Sequence, residues 1–461
     1  MVCNRCIEVS ETSGLKTEVF KGATMGRSIG VLFLILGFFG FFPRSYAAQP
    51  DKRLFNMAKK VESRVSVLRG LPEKKPIKWQ ITSKKNVRKY IIKSMNEQYG
   101  PGEMQNEGLA MKAMELVPAD MDYKASVISL LEEQVAGFYD PITEVFYLAD
   151  WIAPSAQEPI IAHELCHALQ DQNFDIDKFV KRDPGNSDAM LARTSVLEGE
   201  ATLVMILYSM GEASINIDMS MIDLDGPLGS LLVGLSSFQS PEFGKTPKAL
   251  RNSLLFPYLK GLKFVSYGKK IGGWKEIDKV YSHLPTSTEQ VMHPEKFFIH
   301  RDDPTTISMD FLKGLPEKPW QKIYEDVMGE FMTGQLLNLL DNSDEQRRGS
   351  AGWDGDKVEV FRNGEQLAWI GLWVFDSERD AIEFAGAFSK TVPLRNPGFS
   401  MLPTDSNPTM HWITDDGKNC LVSRLNDKVL VVYGFGNQTT QDVLDATIAK
   451  FSAHPARAGG L

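Results

Sequence analysis

The stretch from residue 134 to 171, "QVAGFYDPITEVFYLADWIAPSAQEPIIAHELCHALQD", constrains the fold most, because its hydrophobic period changes partway along. "VAGFY" and "EVFYLA" are rich in β-branched and aromatic residues, and "DPIT" between them is a turn, which together predict a β-hairpin. From about Pro159 to Asp171 the apolar residues recur at helical spacing instead, with a proline in the first turn. On that helix His163 and His167 leave the same face one turn apart, the separation two ligands need to reach one tetrahedral ion. Glu164 lies about 100° round the helix, at the edge of that face. There it can touch a metal-bound water without ligating, which suits a general base. Ile161, Leu165, Ala168 and Leu169 form the opposite, apolar face and are expected to bury. Cys166 points about 100° away from the ligand position and reads as a small core residue.

A third ligand has to come from elsewhere in the chain. Glu198 lies 31 residues beyond His167, in "VLEGEATLV" on a helix predicted over 187–211. Glu200 competes, but the two are about 200° apart on a helix and cannot both face one ion. Glu198 has Thr202 at i+4 on its own face, a hydroxyl able to hydrogen-bond a ligand histidine. Glu200 has Val204 there, so Glu198 is the preferred ligand. The competing reading makes both residues solvated helix glutamates.

"HELCHALQD" with the downstream "EGEA" resembles the gluzincin branch of the zincins, the thermolysin and aminopeptidase type. The resemblance implies one Zn²⁺ held by His163, His167 and Glu198, water in the fourth position, Glu164 as general base, and peptide-bond hydrolysis. The match includes the Asp four residues after the second His, which would make Asp171 a supporting group behind the ligands. A wider set, "EQVAGFYDP", "HELCHALQDQNFD", "LEGEAT", "FPYLKGLKFV", "GGW" and "PTSTEQVMHPEKF", spans roughly 125–300. It is similar to a little-characterised group of exported bacterial zincin-like proteins. In zincins a strand beside the active helix holds extended peptide, so the hairpin is expected to bind substrate, through "EVFYLA" for preference. Tyr139 and Tyr147 on it are substrate-binding candidates. Gluzincins also use a Tyr or His from outside the motif to stabilise the oxyanion and donate a proton. His293 is the first candidate for that role, with Tyr139 and Tyr147 behind it. The competing reading of His293 is a turn histidine before Pro294, with Ser287 capping a short helix whose Gln290 closes a capping box.

Residues 29–42, "IGVLFLILGFFGFF", form a 14-residue apolar run suited to a signal-peptide h-region and short for a membrane span. Ser45 and Ala47, or Tyr46 and Ala48, would occupy the cleavage site, the first pair fitting better because both are small. Met25 gives a normal signal-peptide start. Residues 1–48 are therefore read as leader and signal, and the protein as exported, periplasmic or extracellular. An uncleaved inner-membrane anchor is the alternative, and the only expected membrane contact. The chain carries a net charge of −8 and its most basic stretch, "KKNVRKYIIK" (84–93), has helical spacing, so no nucleic-acid partner is expected. Beyond the leader only Cys166 and Cys420 remain, and no disulfide is expected.

Residues 49–341 are predicted as a zincin-like domain, mostly helical with a small antiparallel sheet. A strand is expected at "IKWQITS", helices over 84–98, 106–117, 123–134, 246–269 and 273–283, and a lid or loose helical hairpin over 212–245. The polar 342–356 reads as a linker, and 357–461 as a small ferredoxin-like α+β accessory domain. The fold class is thus α+β. The functional expectation is an exported zinc metallopeptidase acting on peptide or protein. The alternative is a catalytically silent zincin-like binding or assembly module of the cell envelope. Oligomeric state is not readable from these residues.

Overall fold

The period change at 134–171 becomes a hairpin and a helix in the computed structural model, which describes residues 52–152, 154–179, 182–211, 241–403 and 408–452. The leader with its apolar run, the Met25 start and residues 212–240 of the expected lid lie outside the described residues. Strands β2 (Gly137–Asp140) and β3 (Val145–Ala149) pair antiparallel. The turn between them is closed by Asp140, whose carboxylate accepts from the Ile142 amide (3.1 Å) and the Thr143 hydroxyl (2.6 Å). β1 (Lys78–Thr82) joins β3 in parallel, so the sheet runs β1-β3-β2 and is mixed rather than antiparallel. This order corrects one expectation. "EVFYLA" is the central strand with both edges paired, and β2 is the edge that packs beside the histidine helix.

Around this sheet stand α1 (Lys52–Arg69), α2 (Lys84–Gln98), α3 (Glu103–Ala113) and α4 (Tyr123–Gln134). Three long helices carry the rest: α5 (Pro154–Phe174), α6 (Ser187–Met210) and α7 (Lys248–Gly272), followed by α8 (Trp274–Val280). Asn186 caps α6 by accepting from the Ala189 amide at 3.0 Å. α6 packs against α5 on one side and α7 on the other. The α6–α7 crossing is backbone on backbone: a Cβ placed on Gly199 would lie 2.1 Å from the carbonyl carbon of Gly261, and one on Gly261 would lie 2.0 Å from the Ser195 oxygen. Only glycine fits either position. Among the described residues, no helix is long and apolar enough to cross a membrane.

The C-terminal part is one seven-stranded antiparallel sheet in the order β4-β5-β6-β10-β9-β8-β7. Its strands are β4 (Gln321–Asp326), β5 (Trp353–Asn363), β6 (Gln366–Phe375), β7 (Ser400–Leu402), β8 (Thr409–Ile413), β9 (Asn419–Leu425) and β10 (Lys428–Tyr433). Alternation along β6 sends Trp369 and Trp373 to one face, where Phe384 and Phe388 of α11 (Glu378–Arg395) cover them. Ala368, Ile370 and Leu372 go to the other, under Val443 and Leu444 of α12 (Asn437–Ser452). Helices on both faces and this strand order replace the expected ferredoxin-like βαββαβ arrangement, while the broader α+β class holds.

The expected linker is also corrected. Between α9 (Gly329–Leu336) and β5, the polar run forms α10 (Ser343–Ser350), capped by Asn342, which accepts from the Asp344 and Glu345 amides. The start of β5 then buries Asp356. The boundary moves upstream too, since β4 belongs to the sheet. Nor is the sheet a detached module: Ala110, Ala113, Met114 and Leu116 share one core with Trp353, Trp369 and Trp373. Arg395 of α11 donates to the Met114 carbonyl at 2.8 Å across the same seam.

Candidate metal centre

α5 is buried on nearly every side, which is why its motif reads apolar on one face and carries histidines on the other. His163 is 1% exposed, His167 and Glu164 0%, and Glu198 of α6 2%. The side chains of His163, His167 and Glu198 converge. The two Nε2 atoms are 3.1 Å apart, His163 Nε2 lies 3.1 Å from Glu198 Oε2, and His167 Nε2 lies 3.5 Å from the same oxygen. Ligands at ~2.0–2.1 Å from a tetrahedral ion would be ~3.3 Å apart, so the triangle matches a site that can hold a metal ion.

The atoms behind the ligands support this. Gln170 places its Oε1 2.7 Å from His167 Nδ1, which puts the ring proton on Nδ1 and leaves the Nε2 lone pair facing the other two ligands. Gln170 Nε2 donates in turn to the Leu197 carbonyl at 3.2 Å, tying α5 to the residue before Glu198. Burial opposes charge on Glu198, but His167 and His163 beside it outweigh that and hold its carboxyl below the usual range. Burial likewise pushes His163 down, whereas Glu198 overcomes burial at His167 and raises it.

Glu164 points to the same place without joining the triangle. Its Oε2 accepts from the Tyr139 amide on edge strand β2 at 2.7 Å. Its Oε1 is buried and has no hydrogen-bond partner among the described residues. Burial raises its pKa to about 8, His167 lowering it in part. A carboxyl fixed by one oxygen, with the other unengaged, can exchange a proton with a group bound beside the ligands.

The other expected residues divide. Asp171 does not support a ligand histidine: its carboxylate accepts from the Tyr139 hydroxyl at 2.9 Å, and Gln170 holds the place behind His167. The Thr202 hydroxyl is buried and makes no hydrogen bond among the described residues, so it is not the group orienting a ligand ring. Tyr139 meets the site through its main chain. Tyr147 stacks on Phe138 at 4.8 Å in a hydrophobic cluster with Val87 and Ile91. His293 follows its competing reading: it ends the short helix Thr288–Met292 and pairs with Glu330 of α9 at 2.9 Å. Ser287 caps that helix, but Gln290 reaches back to the Thr286 amide, one residue short of a capping box.

Two neighbours besides Gln170 went unread in the sequence, Tyr258 and Arg69. Tyr258 of α7 stacks over the His163 ring, centroids 6.1 Å apart and 27° between planes, brought there by the Gly199–Gly261 crossing. Glu200 is not a solvated glutamate but fully buried. Arg69 at the end of α1 donates to its Oε1 at 2.6 Å, and the Tyr281 hydroxyl donates to Oε2 at 2.9 Å. Trp274 lies beneath the guanidinium at 4.6 Å. Cys166 is a free, buried thiol, 3.7 Å from Glu200 Oε1 and pushed well up by burial. "EGEA" thus supplies one carboxylate to the His163–His167 cluster and one buried anion to Arg69.

A family model described as a domain of unknown function (DUF8575) matches residues 318–444. The match covers the seven-stranded sheet and none of His163, Glu164, His167 or Glu198. No curated protein and no solved structure matches the chain.

Proposed function

We propose that the chain is a zinc-dependent peptidase of the gluzincin kind. The observation that carries this is the His163–His167–Glu198 triangle with the unengaged Oε1 of Glu164 beside it. Two neutral imidazoles and one carboxylate are the donor set of catalytic zinc, and they fit it in number, type and spacing. When bound, Zn²⁺ lowers the pKa of water and polarises a carbonyl. Glu164 takes the proton of the attacking water and returns it to the leaving nitrogen. The Tyr139 amide keeps the carboxyl in place while it does so. An extended peptide lies along β2, the edge strand, rather than β3. Tyr258, beside a ligand ring, takes the oxyanion role first sought in His293. Export to the periplasm or beyond belongs to the same reading.

One observation favours a second reading. All four central residues are at most 2% exposed, as in a site whose metal serves stability in a non-hydrolysing envelope module. Zinc content and cleavage of a denatured-protein and peptide library, compared between wild type and Glu164→Gln, separate the two. The peptidase reading expects about one zinc per chain in both proteins and cleavage by wild type alone, with loss on the order of 10²–10⁴-fold in the variant. Zinc in both with no cleavage by wild type selects the second reading. No zinc in either sinks both.

A further inference from the structure

A cavity of about 490 Å³ lies at the seam between the helical part and the large sheet, and no ligand residue of the metal centre lines it. Its size is that of a small-molecule site. Met111, Met190, Met328 and Met332 contribute apolar, adaptable walls. Its polar groups are acidic and unevenly matched. Arg182 is held by Glu103 and covers the Tyr99 ring at 4.3 Å. Lys322 is held by Glu325 and Glu359, at 2.6 and 3.0 Å. Apart from the exposed Asp183, that leaves Glu107 and Asp326 as lining carboxylates with no ion pair to a basic side chain among the described residues.

Glu107 is the better placed of the two. It accepts from the Tyr123 hydroxyl at 2.7 Å and from Tyr99, and it keeps solvent-accessible surface at the cavity. Burial raises its carboxyl above the usual range, while the two tyrosines and Arg182 oppose that, so a bound cation would favour its ionised form. Asp326 is fully used, by Ser187, Tyr324 and the Val327 amide, and so adds negative charge rather than a free acceptor. Tyr123 and Tyr324 line the same space, and aromatic rings can attract a cation. A carboxyl acceptor, tyrosines and methionine walls together describe the complement of an organic cation with an apolar body.

We propose that this cavity binds a small molecule carrying a protonated amine on an apolar frame, the ammonium on Glu107 and the frame among the methionines. The site is independent of the peptidase reading, and its test reads binding rather than cleavage. The full-length chain is titrated calorimetrically at neutral pH with 4-phenylbutylamine, 4-phenylbutanol and 4-phenylbutyrate, which share one frame and differ in charge. The amine is expected to bind at least tenfold more tightly than the alcohol, with the carboxylate weakest. Glu107→Gln is expected to weaken the amine at least tenfold and leave the alcohol unchanged. If that variant does not fold, the ranking on the wild-type protein decides alone. Repeating the amine titration in EDTA excludes capture by a bound metal, and undiminished affinity is expected. The proposal is overturned if amine and alcohol bind within twofold of each other, if the carboxylate binds best, if none binds, if folded Glu107→Gln retains the amine, or if EDTA abolishes binding.

Discussion

The helical part and the seven-stranded sheet bury their polar groups in opposite ways. Around α5 and α6 the interior holds Arg69, His163, Glu164, His167, Gln170, Glu198 and Glu200, all at most 2% exposed. More buried polar atoms lack a partner among the described residues there, including His163 Nδ1, Glu164 Oε1 and Thr202 Oγ1, than in the sheet, where Trp369 Nε1 and Ser389 Oγ do. The core of the sheet is instead aromatic, built from Trp353, Trp369, Trp373, Phe384 and Phe388. Its buried acid Asp356 is fully used, accepting from the Met328 and Gly329 amides and from the Trp353 indole. Uncompensated burial costs stability, so the unpartnered atoms beside the His163–His167–Glu198 triangle are what the peptidase reading would explain, whereas those of Trp369 and Ser389 in the sheet have no such account. The sheet shares its apolar core with Ala110, Ala113, Met114 and Leu116 of the helical part.

That contrast can be broken most severely by separating the halves. A fragment of residues 49–341 removes most of the sheet from the core shared with Met114 and Leu116, and is expected to be aggregated or unfolded by circular dichroism and gel filtration. Next come two substitutions of similar cost and different consequence. Arg69→Met leaves Glu200 buried without its charge partner and should cost roughly 3–5 kcal/mol in chemical denaturation. Trp373→Ala should cost about 3–5 kcal/mol as well, through a cavity and the lost bond to Thr333, but leave zinc stoichiometry unchanged in the folded fraction. Gln170→Ala is smaller and specific to the metal: zinc affinity should fall about 10–100-fold, read by competition with a chelating dye.

A pH effect is expected at the joint between the parts. Burial holds the pKa of Asp188 at about 8 and that of Asp356 at about 7, each further raised by Asp326. Both exceed the ordinary value of 3.8, so the folded chain keeps these protons where the unfolded chain has lost them. Their contribution is complete below about pH 4 and is lost as pH rises through about 7–8. Melting of the metal-free protein should therefore fall between pH 5 and 8, and fall less in Asp188→Asn. The smallest effect is Asn342→Ala, which removes the cap of α10 at about 1 kcal/mol and should leave metal binding untouched.

The part of the site legible in the sequence is the part set by helical geometry. A spacing of four put His163 and His167 on one face, and the 200° between Glu198 and Glu200 separated the carboxylate that joins them from the one that does not. What escaped depends on elements that meet only in three dimensions. Arg69 is 131 residues from Glu200, and its pairing leaves no local trace. Tyr258 lies in a segment quoted for its family likeness, yet only the α6–α7 crossing puts it on His163. His293 was drawn toward the site by chemistry alone, while Glu330 on a distant helix had the stronger geometric claim. Thr202 has the right spacing, but its hydroxyl meets no ligand ring. The supposed linker misled because α10 is a capped, polar, mostly exposed helix with almost no apolar stripe to betray it.

The Gly199–Gly261 contact has a mechanical meaning. Side chains between helices act as springs, turning rotamers to absorb a displacement. Here there are none, and main chain bears on main chain. α6 and α7 therefore travel as one girder, with Glu198 beside the rivet and Tyr258 one turn before it. Under the peptidase reading, admitting a peptide would mean parting the girder from α5 and β2, along the line where Glu164 stands.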